Sequence, residues 1–293
     1  MGLRNPPPYG TRMLPADTFK GQVVYVTGGG TGLGKAMALE FARCGADVAI
    51  ASRDEGHRAA GVKAIEELGQ RAIGTAVDVR EPDSIARSFD EVEASLGPVS
   101  ILINNAAGNF ASPAERMSAN AWRSVINIVL NGTFFCSSEF ARRRIARQEG
   151  GAILNIGATY SWTGGPVAAH SAAAKAGVTN LTQSLAVEWA PDDIRVNCLA
   201  PGLFPARDRS AHALGMSTGA PRGGETIPAQ RVGESYELGW AATYMCSPFA
   251  AYLTGHTLVL DGANWLRRYG FGMPDFEVVR DRFDRARDQA TPA

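Results

Sequence analysis

The sequence predicts an α/β fold in which a parallel sheet of seven strands is covered by helices on both faces. Short apolar runs rich in β-branched residues alternate with longer segments whose apolar residues recur at helical spacing. Several of the short runs are continuously apolar, as in strands that are buried on both faces of a sheet. The candidate strands are 22–27, 47–52, 71–77, 99–104, 151–157, 194–200 and 256–262.

The segments between these strands predict the crossover helices. Leu33, Met37 and Phe41 follow one face of a helix that begins after the first strand. Pro82 opens another helix, because proline is tolerated in the first helical turn. This helix is predicted over 82–96, and further helices are predicted over about 120–147, 170–190 and 234–246.

The chain is expected to form one domain with short additions at each end. No internal repeat or second-domain boundary interrupts the 293 residues. The domain is predicted over 20–265, after an N-terminal arm of 1–19 and before a C-terminal tail of 266–293. A segment of about 203–230 is irregular and rich in glycine and proline, which predicts a lid over a ligand site.

Composition narrows the classes of partner. The 29 basic and 29 acidic side chains cancel, so no long-range field attracts nucleic acid or an anionic membrane. No apolar run reaches the ~18 residues of a membrane span. The N-terminus lacks the apolar core of a secretory signal, which leaves a cytoplasmic location or a cleaved organellar presequence.

The cysteines indicate neither a disulfide framework nor a metal site. They are widely spaced in apolar stretches, and no CxxC pair is present. We therefore expect no bound metal and four buried free thiols, as in a reducing compartment. The four are Cys44, Cys136, Cys198 and Cys246.

A glycine-rich turn between the first strand and its helix predicts a dinucleotide site of the Rossmann type. Gly28 permits the tight turn, Gly32 allows close approach of a pyrophosphate, and Gly34 allows helix and strand to pack closely. The amides and dipole of the helix N-terminus then favour the anion. The turn residues predicted to bind the cofactor are Thr27, Gly28, Gly30, Thr31, Gly32, Leu33 and Gly34.

Residues at the ends of the second and third strands predict which nucleotide binds. Ser52 and Arg53 stand where an enzyme selective for NAD carries an acid, and a basic residue there accommodates a 2′-phosphate. Asp54 is expected to cap the next helix. NADPH is therefore the predicted cofactor. Asp78 and Val79 end the third strand, where Asp78 either accepts a hydrogen bond from the adenine amine or caps a turn.

Four motifs together resemble the short-chain dehydrogenase/reductase family over about residues 20–265. They are the spacing TGxxxGxG, the NNAAG of 104–108, a lysine after the fifth strand, and a Pro-Gly pair after the sixth. The resemblance implies one doubly wound Rossmann domain with seven parallel strands, usually assembled as a homotetramer. It adds to the expected cofactor contacts Asn105, Ala106, Ala107, Lys175, Pro201 and Gly202.

The chain departs from the usual catalytic pattern of that family. The family's tyrosine lies four residues before the lysine, and Ser171 occupies that position here. The usual serine would fall at Ala158 and the usual asparagine at Val129. Ordinary alcohol–ketone chemistry is therefore not expected.

One branch of the family accounts for the departure. LINNAAGNF at 102–110, the stretch 115–135 and a tyrosine fifteen residues before the lysine resemble mitochondrial-type 2,4-dienoyl-CoA reductases. These enzymes of fatty acid β-oxidation act on an acyl-CoA and form a 3-enoyl-CoA. By this resemblance the catalytic residues are Tyr160, Asn109, Ser171 and Lys175.

The chemistry that such an enzyme performs suits these residue types. Hydride addition to the far end of a dienoyl thioester places negative charge on the thioester oxygen, where Tyr160 and Asn109 are expected to donate. Lys175 is expected to hold the nicotinamide ribose, and Ser171 lies on the same face of its helix. His170 adjoins Ser171, but neighbouring helical residues point to different faces, so no hydrolase triad is expected.

Two other functions remain open at this point. One is reduction of a different acyl-CoA, either a 2-enoyl-CoA or a 3-oxoacyl-CoA. The other is a non-catalytic NADP-binding protein, because the usual catalytic groups are missing at Ser171, Ala158 and Val129. The intact glycine turn, Lys175 and the substitute donors favour an enzyme.

Overall fold

The computed structural model describes residues 2–205 and 224–266, together with the single residues Val278 and Arg285. Most of the predicted lid and nearly all of the C-terminal tail therefore lie outside the described residues. The boundaries expected at residues 20 and 265 stay predictions.

Seven strands form one parallel sheet in the order β3-β2-β1-β4-β5-β6-β7. The strands are β1 (Val23–Thr27), β2 (Asp47–Ser52), β3 (Ala72–Ala76), β4 (Val99–Asn104), β5 (Gly151–Ile156), β6 (Ile194–Pro201) and β7 (Thr257–Leu260). The strand order reverses between β1 and β4, which makes the sheet doubly wound and opens a crevice at their carboxyl ends. The predicted fold class is confirmed.

Helices cover both faces of the sheet. They are α1 (Gly32–Arg43), α2 (Glu55–Glu66), α3 (Pro82–Leu96), α4 (Ala119–Ile126), α5 (Gly132–Ala146), α6 (Tyr160–Thr163), α7 (Ala169–Trp189) and α8 (Ser235–Cys246). Successive residues of a strand point to opposite faces. Val24 and Val26 accordingly pack in the core beneath α1, α2 and α8, whereas Val23 and Tyr25 pack beneath α3, α5 and α7.

The long helix predicted over about 120–147 contains a local irregularity. A π-helical segment, Asn127–Asn131, separates α4 from α5. Such segments interrupt the regular hydrogen-bond ladder, and side chains of ordinary helical spacing do not reveal them. The side-chain Nδ2 of Asn131 donates to Oδ1 of Asn127 across this segment at 2.9 Å.

The N-terminal arm packs along α1 and α8. The indole of Trp240 donates to the carbonyl oxygen of Thr11 at 3.0 Å. The ring of Tyr9 meets the ring of Tyr236 edge-on and lies under the guanidinium of Arg43. Phe19 at the end of the arm is completely buried. The arm is therefore part of the packed structure of the domain.

All four cysteines are buried and free, as predicted. Burial raises the pKa of the Cys136 and Cys246 thiols to about 12 and that of Cys198 to about 11. Within the described ranges, no helix has both the length and the apolar character that crossing a membrane requires.

Candidate functional site

A groove of about 630 Å³ opens at the carboxyl ends of the strands, beside the point where the strand order reverses. Most of the predicted cofactor residues line it. They are Gly28, Thr31, Gly32, Leu33, Gly34, Ser52, Arg53, Asp78, Val79, Asn105, Ala106, Ala107 and Lys175. This volume is ordinary for a groove that holds an organic ligand.

Four predicted residues do not line the groove. Thr27 is buried at the end of β1, and Gly30 packs so closely against the backbone of α2 that an added Cβ would lie 2.2 Å from the His57 carbonyl oxygen. Pro201 ends β6, and the amide of Gly202 donates to the Leu260 carbonyl at 2.9 Å.

The groove also includes residues that the sequence did not predict to bind the cofactor. They are Ala51, Asp54, His57, Val77, Ile128 and Ile156. Most of them adjoin predicted residues at strand ends, so their position in the sheet could have predicted that they line the groove. Ile128 belongs to the π-helical segment, and no sequence signal indicated its place in the groove.

The backbone of the glycine turn fits a dinucleotide phosphate. A Cβ on Gly34 would lie 2.3 Å from the Gly28 carbonyl oxygen, so only glycine allows this close packing of turn and helix. Gly32 has a φ of +52° and open space where a Cβ would stand. The first turn of α1 therefore presents bare backbone to the groove, as a helix N-terminus that binds a phosphate requires.

Hydrogen bonds fasten the glycine turn to the loop after β4. The Thr27 hydroxyl accepts from the amides of Asn105 and Ala106, both at 2.9 Å. In return, the Asn105 side chain donates to the carbonyls of Thr27 and Gly28. The two loops on either side of the crevice are thus held as one unit.

At the end of the groove that follows β2, Arg53 is exposed and lines the wall next to Ser52. Arg58 donates to the carbonyls of Ser52 and Arg53 at 2.8 and 2.9 Å, which fixes the backbone there. Asp54 accepts from the His57 amide at 2.8 Å, so it caps α2 as predicted.

Asp78 closes a turn, one of the two roles that the sequence left open, and its hydrogen bond to adenine stays a prediction. Its carboxylate accepts from the Arg80 backbone amide at 3.1 Å, which closes a turn, and it also faces the groove. A hydrogen-bonded ion pair with the Arg80 guanidinium lowers the pKa of the Asp78 carboxyl. Asp78 is therefore an ionised acceptor at neutral pH.

Lys175 is a buried cation on α7 that lines the groove. Its ammonium donates to the Ile156 carbonyl oxygen at the end of β5, and this is its one hydrogen bond among the described residues. Burial lowers the pKa of Lys175 to about 8, an effect partly offset by the nearby Cys198 thiol. Two of its three donors remain available to a ligand.

The structure brings Tyr160 and Ser171 together. Tyr160 begins the short helix α6 after β5, and Ser171 lies in the first turn of α7. Their hydroxyl oxygens are 3.0 Å apart. Ser171 precedes Lys175 by one helical turn, so the phenol reaches the face of α7 that carries the buried ammonium. The positions of the usual family serine and asparagine, Ala158 and Val129, are buried and apolar.

Asn109 follows β4 and is held by its own loop. Its Oδ1 accepts from the backbone amide of Phe110 at 3.0 Å. That contact orients the carboxamide with its Nδ2 donors directed away from the Phe110 amide. Within residues 2–205 and 224–266, Nδ2 of Asn109 makes no hydrogen bond and can donate to a ligand.

A buried polar network connects the strands and helices from which these loops extend, and the sequence did not predict it. Asn104 donates to Oδ1 of Asn155 and to the Ser137 hydroxyl, and Asn155 donates to the Thr182 hydroxyl, each at 2.9 Å. The network joins β4, β5, α5 and α7. Single asparagines in apolar strands were the only sequence signal. No group of three or more potential metal ligands occurs in the part of the chain that the structure describes.

Comparison with known proteins agrees with the geometry. The family model described as enoyl-(acyl carrier protein) reductase matches residues 27–263. The chain belongs to the short-chain dehydrogenase/reductase family. A probable 2,4-dienoyl-CoA reductase [(2E)-enoyl-CoA-producing] of Bacillus subtilis is 39% identical over 85% of this chain and 99% of the relative.

Two further proteins extend the comparison. A peroxisomal 2,4-dienoyl-CoA reductase [(3E)-enoyl-CoA-producing] of Danio rerio is 38% identical over 87% of this chain and 85% of the relative. The crystal structure of a short-chain dehydrogenase from Bacillus anthracis is 41% identical, with a TM-score of 0.77 over 86% of this chain and 99% of that one. The protein is thus an oxidoreductase of a family that uses nicotinamide cofactors.

Proposed function

We propose that this dehydrogenase/reductase is an NADPH-dependent 2,4-dienoyl-CoA reductase that forms a 3-enoyl-CoA. The observation that carries the proposal is the contact of the Tyr160 hydroxyl with Ser171, one helical turn before Lys175. It brings a phenol to the face of α7 that carries Lys175, in a chain whose usual tyrosine position holds a serine. The names of the relatives support the same substrate class.

The residues of the groove suit NADPH. The turn of Gly28 to Gly34 would hold the pyrophosphate, and the exposed guanidinium of Arg53 would meet a 2′-phosphate, for which an acid would be repulsive. Lys175 would hold the ribose hydroxyls next to the nicotinamide. When bound, the cofactor supplies the hydride that adds to C5 of the dienoyl chain.

The substrate's negative charge then requires donors from this chain. Electrons displaced from the conjugated system accumulate on the thioester oxygen, and the phenol of Tyr160 and the amide of Asn109 are neutral donors suited to that oxygen. Ser171 orients the Tyr160 hydroxyl. The Lys175 ammonium, protonated below pH 8, favours the developing charge. A water proton delivered to C2 completes the 3-enoyl product.

The position of the product's double bond separates the proposal from its nearest alternative. Protonation at C2 leaves a 3-enoyl-CoA, whereas protonation at C4 leaves the 2-enoyl-CoA that the name of the Bacillus subtilis relative specifies. Tyr160 supports the 3-enoyl product, because it is the residue that resembles the mitochondrial-type enzymes. A homotetrameric assembly and a cytoplasmic location stay predictions.

One assay tests the proposed function. The fall in NADPH absorbance is followed with a 2,4-dienoyl-CoA, a 2-enoyl-CoA and a 3-oxoacyl-CoA of equal chain length, and the product is examined by proton NMR. We expect turnover with the dienoyl-CoA and a double bond between C3 and C4. Preference for either other substrate selects the corresponding reductase, and binding of NADPH without any turnover selects a non-catalytic protein.

A further inference from the structure

His170 is fully buried in the first turn of α7 and does not line the cofactor groove. Amides in the first turn of a helix have no partner within the helix and are usually satisfied by a side chain of the capping residue. Ala168 occupies the capping position here and has no such side chain. Nδ1 of His170 accepts from the Ser171 amide at 2.8 Å instead. The imidazole thus fixes the backbone of Ser171.

The other side of the imidazole contacts the loop that carries Asn109. The rings of His170 and Phe110 meet edge to face, with centroids 4.5 Å apart and an interplanar angle of 85°. The amide of Phe110 in turn donates to Oδ1 of Asn109 at 3.0 Å. A displacement of Phe110 would therefore change the hydrogen bond that orients the Asn109 carboxamide.

These contacts form a continuous path between the two proposed oxyanion donors. The path runs from Tyr160 through Ser171 and His170 to Phe110 and Asn109. We propose that His170 is a positioning residue that sets the spacing of Tyr160 and Asn109. The inference rests on the proposed function, because it assigns both donors to one substrate oxygen.

A cost in the structure supports a role beyond packing. Because Nδ1 accepts a hydrogen bond, the proton of the neutral imidazole is on Nε2. Nε2 is buried and has no hydrogen-bond partner among the described residues. A buried donor without a partner disfavours the folded state, and a phenylalanine would fill the same space without that cost. Phenylalanine, however, has no acceptor for the Ser171 amide, which Nδ1 of His170 supplies.

Three variants separate the two contacts. His170→Asn keeps an acceptor near the Ser171 amide and loses the ring, His170→Phe keeps the ring and loses the acceptor, and His170→Ala loses both. For His170→Ala we expect kcat to fall about tenfold, with the Kd for NADPH within twofold of wild type. We expect each of the other two to retain part of the lost activity.

Non-additivity provides the decisive kinetic readout. If His170 acts through Asn109, adding His170→Ala to Asn109→Ala should lower kcat by less than twofold further. Leu185→Ala is the matched control, because Leu185 is buried on the same helix away from this path. It should lower the Tm without changing kcat. Wild-type kcat in His170→Ala, or a loss that multiplies with that of Asn109→Ala, would overturn the proposal.

A comparison of crystal structures tests the positioning role of His170 without depending on which substrate the enzyme reduces. Crystal structures of wild type and His170→Ala should show the Asn109 carboxamide displaced relative to the Tyr160 hydroxyl in the variant. An unmoved Asn109 would overturn the positioning role, whichever acyl-CoA the enzyme reduces. Failure of wild type to reduce a dienoyl-CoA would count against the proposed function and not against this displacement.

Discussion

The hydroxyl oxygens of Tyr160 and Ser171 lie 3.0 Å apart, although the two residues are eleven positions apart and lie in the first turns of different helices. In the usual pattern of the family the phenol belongs to the residue that Ser171 replaces. Here the phenol comes from α6 and reaches the same turn of α7. A phenol thus reaches the helical turn that precedes Lys175 by a different route through the chain.

Ser171→Ala should reduce kcat less than removal of the Tyr160 hydroxyl does. The substitution deletes one orienting hydrogen bond, worth about 1 kcal/mol, so we expect a fall of roughly fivefold. Steady-state kinetics with the dienoyl-CoA measures it. A loss as large as that of Tyr160→Phe would instead make Ser171 the principal donor.

Lys175→Met should weaken NADPH binding and remove its pH dependence. The pKa of Lys175 in the free enzyme is about 8, so wild-type affinity should decline as pH rises through that value and the ammonium loses its proton. Fluorescence titration from pH 6.5 to 9.5 measures both effects. Lys63→Met, on the exposed side of α2, should retain the wild-type curve. An unchanged Kd in Lys175→Met would rule out the ribose-holding role.

The same substitution should stabilise the cofactor-free protein at pH 7. Burial lowers the pKa of Lys175 from 10.5 in the unfolded chain to about 8, so folding is penalised below pH 8 and the penalty disappears between pH 8 and 10.5. Lys175→Met should therefore raise the free energy of unfolding at pH 7 by up to about 3 kcal/mol. Urea denaturation at pH 7 and pH 10 tests this. An advantage that does not shrink at the higher pH would contradict it.

Arg53→Glu should reverse the cofactor preference. The substitution removes a contact to the 2′-phosphate and adds repulsion, so the Kd for NADPH should rise at least tenfold while that for NADH changes little. Arg53→Ala removes the contact without adding repulsion, so its Kd for NADPH should lie between those of wild type and Arg53→Glu. A constant ratio of the two dissociation constants would place the selectivity elsewhere in the groove.

The positions of most strands and helices were predictable from the sequence, because apolar patterning over five or more residues specifies these elements. All seven strands and the helix Pro82–Leu96 occur where the sequence places them. The π-helical segment Asn127–Asn131 was not predictable, since it depends on local backbone hydrogen bonding and not on patterning.

The site was predictable to a different degree at each residue. The glycine turn carries its own signal, because backbone geometry restricts which residues fit. The contacts of His170 with Ser171 and Phe110 carried none, because they depend on the rotamer of one buried side chain and on packing between distant loops. Sequence reasoning considered His170 only as a member of a hydrolase triad and rejected that role. The Ser171 hydroxyl does contact Tyr160, and the imidazole contacts the Ser171 backbone.

In the proposed reaction, the Tyr160 hydroxyl stabilises negative charge on the substrate. Tyr160→Phe keeps the ring and its packing and removes only that hydroxyl. Loss of one oxyanion donor typically costs about 10²–10³ in rate, or ~3–4 kcal/mol. Because the donor acts mainly on charge in the transition state, NADPH affinity and Tm should stay near their wild-type values.

The most direct measurement is therefore the single-turnover rate of dienoyl-CoA reduction by Tyr160→Phe, with NADPH bound before mixing. This experiment isolates the chemical step from product release. We expect a rate lower than that of wild type by about two to three orders of magnitude. A variant that retains more than about half of the wild-type rate would contradict it.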